Sequence, residues 1–154
     1  MDPSRSLQDQ FAPNNRCFGC GPANERGLRI KSFVRGDEVV ARFAPEEYHQ
    51  AFEGMLNGGI IGALLDCHSN WTAAYTLMHR DGSDVPPCTV TAEFCVTLSA
   101  PTPLAEVRLV ARPAEMGTRR VVVDAELWSG DVPTAKCRGI FVAVKEGHPA
   151  YHRW

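Results

Sequence analysis

Hydrophobic and polar residues along this chain change period twice, from two residues to a helical repeat and back. Two strand-like segments come first, Leu28–Val34 and Glu38–Phe43, joined by Arg35-Gly36-Asp37, which suits a tight hairpin. In the second, Val39, Ala41 and Phe43 share one face, and Glu38, Val40 and Arg42 the other. A helical pattern then runs from about Gly58 to His79, the longest in the chain, with Asn57 as its cap. Arg80-Asp81-Gly82-Ser83-Asp84 ends it, and Pro86-Pro87 opens the next segment. From there the pattern is strand-like throughout. Val90, Ala92, Phe94, Val96 and Leu98 alternate with Thr89, Thr91, Glu93, Cys95 and Thr97. Pro101-Thr102-Pro103 turns the chain into a strand over Glu106–Arg112, and Gly117 turns it into Arg119–Trp128. Val121, Val123, Ala125 and Leu127 form an apolar face there, and after Gly130-Asp131 a last strand covers about Thr134–Val144.

The remaining segments are irregular. Residues 1–16 read as a loose polar leader with Pro3, Pro13 and Asn14-Asn15, and Cys17–Gly27 as an ordered, turn-rich loop. Ala44–Leu56 is a loop before the helix. Two strands, one long helix and four antiparallel strands make an α+β domain over residues 17–154. One curved antiparallel sheet around one central helix satisfies this pattern, because the helix needs burial on most sides. Such a sheet has edges, which pairing in a symmetric dimer would remove.

Composition narrows the partners. The chain has 154 residues, 44% hydrophobic and 22% charged, with a formal net charge of −2, which argues against nucleic-acid binding through a broad basic face. Apolar runs such as Val121-Val122-Val123 are too short to span a membrane. The start, Met1-Asp2-Pro3-Ser4-Arg5-Ser6, lacks the basic and apolar regions of a secretory signal, so a cytoplasmic location is expected. The six cysteines then read as reduced, mostly buried thiols. Cys17-x-x-Cys20 has zinc-knuckle spacing but no second Cys or His pair, so a turn with buried thiols, and no metal, is expected.

The chemistry concentrates in Asn57-Gly58-Gly59-Ile60-Ile61-Gly62-Ala63-Leu64-Leu65-Asp66. Glycines at a helix start let backbone N–H groups approach a ligand where the helix dipole favours negative charge. Asp66 is the one ionised side chain between Glu53 and His79, and an acid inside an apolar helix needs a partner or a function. Gly58 and Asp66 stand about 12 Å apart along a helix, too far to touch one carbonyl together. If two helices face each other in a dimer, the glycine of one can meet the aspartate of the other. Asn70, one turn past Asp66 on the same face, can orient it or a water, and Gly62 leaves room for substrate. The alternative for Asp66 is a structural carboxylate paired across the dimer. His68 lies about 200° around the helix from Asp66 and reads as a core or interface histidine. Cys67, Trp71 and Tyr75 read as packing residues, the two aromatic rings against the sheet.

Four segments resemble the PaaI-like family of hotdog-fold acyl-CoA thioesterases. They are Cys17-Phe18-Gly19-Cys20-Gly21 with Asn24 and Gly27-Leu28; His49-Gln50, Gly54 and Asn57-Gly58-Gly59; Leu64-Leu65-Asp66; and Thr91-Ala92-Glu93-Phe94 through Pro101. The resemblance implies a hotdog fold, a site shared between two subunits, and hydrolysis of an acyl-CoA without cofactor by a homodimer or dimer of dimers. It implies that the Gly58 N–H, helped by Gly59, polarises the thioester carbonyl while Asp66 acts as base or nucleophile. Most relatives carry His before the glycines; Asn57 also caps and donates but does not titrate near neutral pH, which leaves it a positioning role. Relatives also carry a polar residue seven positions before the first helix glycine; this chain has Ala51 there, with Gln50 beside it as the substitute and His49 adjacent. Arg119 and Arg120, together with Arg112, Lys136 and Arg138, are the candidate contacts for coenzyme A phosphates. The rival readings are a non-catalytic protein binding acyl-CoA or another small ligand in the same pocket, a hydratase or dehydratase, for which no His stands at a suitable spacing from Asp66, and, more distantly, a redox or zinc module built on Cys17 and Cys20.

Overall fold

A computed structural model describes residues 1–152 and 154 of the chain. In chain order the elements are α1 (Leu7–Phe11), β1 (Lys31–Arg35), β2 (Glu38–Phe43), a 3-10 turn (Glu47–His49), β3 (Gln50–Phe52), β4 (Met55–Leu56), α2 (Gly58–Asp81), β5 (Thr89–Leu98), β6 (Val107–Met116), β7 (Arg120–Ser129) and β8 (Val132–Ala143). Six strands form one sheet in the order β1-β2-β6-β7-β8-β5, antiparallel at every pairing, and β3 and β4 make a separate small hairpin. This is the α+β hotdog arrangement, a single long helix wrapped by a curved antiparallel sheet.

The helix forms where the pattern placed it because both its ends are chemically marked. Asn57 is extended, at φ −66° and ψ 133°, and its side chain accepts from the amides of Gly59 and Ile60. At the other end Gly82 adopts the left-handed conformation, φ 62°, and its N–H reaches back to His79 O while Ser83 N–H reaches Met78 O. Between them Leu64, Leu65, Trp71 and Leu77 are at most 1% exposed. Facing them from the sheet are Val121, Val123 and Leu127 of β7, Val107 and Leu109 of β6, and Phe141 of β8, all 0% exposed. Bulges at Thr91/Glu93 in β5 and Pro113/Glu115 in β6 interrupt the ladder, and bulges of this kind bend and twist a sheet. Among the described residues no helix is long and apolar enough to cross a membrane.

Within the segment expected as a loose leader, Leu7–Phe11 form α1, capped by Ser6, and Leu7, Gln8 and Ala12 are at most 1% exposed. Gln8 accepts from the Ser32 amide at 2.8 Å, and its Nε2 donates to Ser32 Oγ at 3.0 Å. Ser32 Oγ lies 2.9 Å from His68 Nδ1, and His68 Nε2 lies 3.0 Å from Val39 O. With the Nε2–H tautomer every group in this relay is satisfied, which is why a polar relay tolerates complete burial. His68 is thus a core histidine. Burial pushes its pKa down to about 4, against a weaker opposing effect from the Val39 carbonyl. Trp71, placed against the sheet by its spacing, donates Nε1–H to Cys20 Sγ at 3.3 Å and stacks on Trp154 at 4.5 Å between ring centres.

His68 ties stability to pH. From its ordinary value of 6.5 down to about 4, the unfolded chain binds a proton at this ring that the folded chain refuses. Stability is therefore full above the ordinary value and falls as pH drops through the interval, by about 3 kcal/mol at most from this one group. Urea unfolding of His68→Gln at pH 7.5 and 4.5 is expected to show a smaller acid loss than the wild type; an equal loss would mean that other groups set the acid limb.

Candidate active site

The first turn of α2 is positioned by its neighbours in the chain. Leu56 N–H bonds Thr102 O, and Asn57 N–H bonds His49 O, so the chain enters the helix along a fixed path. Asn57 Oδ1 then accepts from Gly59 N–H at 2.8 Å and Ile60 N–H at 3.2 Å, and Asn57 O accepts from Ile61 N–H. The cap therefore uses the Gly59 amide. Among the described residues no acceptor engages the Gly58 N–H, and it is the one first-turn amide left to a ligand. Gly58 borders a cavity of about 370 Å³, walled mainly by Phe52, Met55, Leu56, Ile61, Leu98 and Pro101. A Cβ at position 58 would sit 3.1 Å from Leu98 Cδ1, so the glycine keeps this wall close to the backbone.

Two turns further on, Asp66 and Asn70 face β5. Thr91 Oγ1 donates to Asp66 Oδ1 at 2.6 Å, and Thr89 Oγ1 donates to Asn70 Oδ1. Four residues of helix rise about 6 Å and two residues of strand about 6.6 Å, so the two rungs match in spacing. Asn70 Nδ2 in turn donates to Thr89 O at 3.4 Å, so its amide is committed to the strand. Asp66 is half-buried and shares a helix stripe with half-buried Gly62, beside which a Cβ would meet nothing within 4 Å. Below the helix the Cys137 thiol is pushed up to about 12, first by burial and then by the negative charge of Asp66.

The bulge at Ala92 brings Thr91 to Asp66. Strict alternation places Thr91 on the face of Glu93 and opposite Phe94. In the sheet Thr91 pairs with Phe141 and Glu93 with Ile140, so the phase shifts and Thr91, Phe94, Val96 and Leu98 all look towards the helix side. Beyond the bulge β5 is poorly covered: Phe94 is 42% exposed and Leu98 55%, on a strand that forms one edge of the sheet.

The other candidates lie apart from this region or take local roles. His49 Nδ1 accepts from the Glu46 amide at 2.9 Å, and its carbonyl holds Asn57, so it shapes the entry to α2. Gln50 is exposed and accepts from Gly54 N–H at 3.4 Å. Arg119 donates to Ala143 O at 3.2 Å, and Arg120 follows it into β7 at the tip of the β6–β7 hairpin. Arg80, near the C-terminal end of α2, donates to Gly117 O and Thr118 O of that tip. Within one chain this end is about 33 Å along the helix from Gly58. Arg112 pairs with Glu38, and Arg138 with Glu115 at 3.1 Å. Both are exposed ion pairs. Thr91, Thr89 and Leu98 are the site-forming residues that periodicity passed over.

A sequence profile for the thioesterase superfamily matches residues 53–136, more than half of the chain and inclusive of both Gly58 and Asp66. No curated protein matches at the sequence level. Among solved structures, a thioesterase superfamily protein from Shewanella loihica is 30% identical over 80% of this chain and 98% of its own, with a TM-score of 0.66. A conserved protein from Pseudomonas aeruginosa is 25% identical over 76% and 90%, with a TM-score of 0.64. The Escherichia coli PaaI protein from the phenylacetic acid degradation operon shares the fold at 15% identity over 77% and 81%, with a TM-score of 0.64. Profile, identity and fold agree on one conclusion: the chain belongs to the thioesterase superfamily and has its hotdog fold.

Proposed function

We propose that this protein hydrolyses acyl-CoA thioesters at sites shared between two copies of the chain. The observation that carries the proposal is the division of labour along α2. An unengaged Gly58 N–H opens onto an apolar cavity, and Asp66, eight residues on, is held by Thr91 on a half-buried stripe. One helix cannot bring both to the same carbonyl. A second copy docked on the exposed edge of β5 covers Phe94 and Leu98 and sets one helix's Gly58 against the other's Asp66.

In this arrangement the acyl chain lies against the cavity wall and the thioester oxygen accepts from Gly58 N–H at the positive end of the helix dipole. Asp66 of the second copy then attacks the carbonyl carbon, or takes a proton from a water that does. Attack by Asp66 breaks the C–S bond, releases coenzyme A thiol and leaves a mixed anhydride on the carboxylate that a water then hydrolyses. Attack by water forms the new C–O bond directly, and either route consumes one water and yields the thiol and a carboxylic acid. Asn57 holds the oxyanion end in shape, and Thr91 fixes one oxygen of Asp66. Arginine contacts to the coenzyme A phosphates remain part of the proposal only as far as a second copy supplies them, since Arg119 and Arg120 sit at the far end of their own helix.

Four measurements test this. Against a panel of acyl-CoA substrates, followed by direct loss of the thioester, Asp66→Asn is expected to lower kcat by about 100-fold or more. Asn57→Ala is expected to cost less activity and about 1 kcal/mol of stability through the lost cap. Tight acyl-CoA binding without turnover would select a non-catalytic binding protein instead. Thr91→Val is expected to lower kcat about tenfold by freeing one carboxylate oxygen. Finally, Asp66→Asn and Gly58→Val, each inactive alone, are expected to recover roughly a quarter of wild-type activity when refolded together, because half of random dimers rebuild one intact site. No recovery in a verified mixed dimer would place both residues in one subunit's site.

A further inference from the structure

Three cysteines converge at a point the thioester chemistry does not use. Cys17 and Cys20 come from the turn-rich loop after α1, and Cys67 from α2, one residue beyond Asp66. Their three Sγ atoms all lie within 4.8 Å of one another, and Cys17 Sγ and Cys67 Sγ are 3.7 Å apart. Sulfurs bound to one tetrahedral zinc at 2.3 Å are separated by about 3.8 Å, so the pair already stands at the edge length of such a site.

The surroundings are built to hold sulfur in place. Gly19 passes so close to the cluster that a Cβ there would lie 2.4 Å from Cys67 Sγ. A Cβ at Gly21 would meet the Cys17 backbone nitrogen at 2.4 Å, and Gly21 N–H closes the turn on Cys17 O at 2.9 Å. Leu28 N–H to Phe18 O and Ile30 N–H to Gly19 O clamp both sides of the loop. Donors also point at the sulfurs. Trp71 Nε1–H reaches Cys20 Sγ at 3.3 Å, and the amides of Cys20 and Gly19 reach Cys17. The three sulfurs thus face one another with N–H groups beside them, surroundings that suit metal-bound sulfur.

We propose that Cys17, Cys20 and Cys67 form a tri-thiolate site for a thiophilic metal ion, zinc(II) in particular, with the fourth position taken by an external donor such as water. A disulfide would join two of the sulfurs and leave the third without a role, whereas a cation uses the convergence of all three. Cys17, only half-buried, gives the ion a way in. Binding displaces the protons of the thiols that still carry them and charges the cluster as a unit. The consequence in the fold is a clasp between the loop at Cys17–Gly21 and the helical turn that carries Asp66.

Full-length protein purified under reducing conditions is the material for the test. One zinc per chain is expected by elemental analysis. Titration with cobalt(II) is expected to give thiolate-to-cobalt charge transfer and the ligand-field bands of a tetrahedral site, with protons released to the buffer. Cys17→Ser and Cys67→Ser are each expected to weaken cobalt binding by at least about 100-fold, and Cys95→Ser, outside the cluster, to leave it unchanged. Trp71→Phe, which keeps the ring but removes its N–H, is expected to weaken binding about tenfold. Circular dichroism identifies variants that fail to fold, and Cys17, the least buried ligand, gives the most tolerant substitution. The proposal is overturned if the reduced wild type binds neither metal at micromolar concentration, or if folded Cys17→Ser binds as well as wild type. It is also overturned if unreduced protein carries a Cys17–Cys67 disulfide and takes up no metal once reduced.

Discussion

A helix of 24 residues whose first five turns carry Asp66 as their one charged side chain cannot stay in water, and among the described residues no second helix of comparable length is present to cover it. The sheet must do so alone. Its bulges bend β5 and β6 around the helix, and Leu64, Leu65 and Ala73 disappear entirely from the surface. The part the sheet cannot reach is the N-terminal half of one face, where Gly59, Gly62 and Asp66 line up. The residue that resists burial and the residues that leave space thus fall on the same stripe. Covering a long apolar helix with one sheet has left the candidate site as a remainder.

Polar groups follow from the same constraint. Most of those carried inward by α2 find a partner elsewhere, Asp66 on Thr91, Asn70 on Thr89, His68 on Ser32 and Val39, and Trp71 on Cys20, whereas Thr72 bonds back to the His68 carbonyl and the buried Ser69 hydroxyl has no partner among the described residues. These bonds add direction to the hydrophobic contacts. A helix held only by leucine and valine can rotate or slide by small amounts at little cost; one with matched rungs on β5 has a defined register. The register fixes where Asp66 stands relative to the edge of the sheet.

Much of this was legible from spacing. β2 and β5 coincide with the segments Glu38–Phe43 and Thr89–Leu98 read from alternation, and α2 starts at the glycine that Asn57 caps. Caps and two-residue alternation are local signals, so they survive in the sequence. Thr91 was missed because a single bulge shifts the phase of a strand without changing its composition. The contribution of α1 was missed because Leu7 and Gln8 are two buried residues in a short polar segment, and their partners lie on β1, reached only after folding. Cys67 was read as packing because the turn that meets it is about fifty positions away in the chain, and spacing rules cannot see such a meeting. The distance of Arg119 and Arg120 from Gly58 within one chain was hidden for a related reason: their strands were found, but which end of α2 the hairpin tip would approach is a property of the curved sheet.

The bulge at Ala92 also bears on which strands can pair with this one. It divides β5 into a part that hugs the helix, with Thr89 fully buried, and a part that leaves it, with Leu98 more than half exposed. A free sheet edge normally invites any extended chain to extend the ladder, and straight edges are the ones that aggregate. A bent edge offers its hydrogen-bonding groups in two directions, which a straight foreign strand cannot follow for long. A second copy of the chain carries the same bend, so under two-fold symmetry each edge meets its own irregularity reversed. In the proposed dimer, one unpaired residue in a ten-residue strand would act as a discriminator, open to self and poorly matched to strangers.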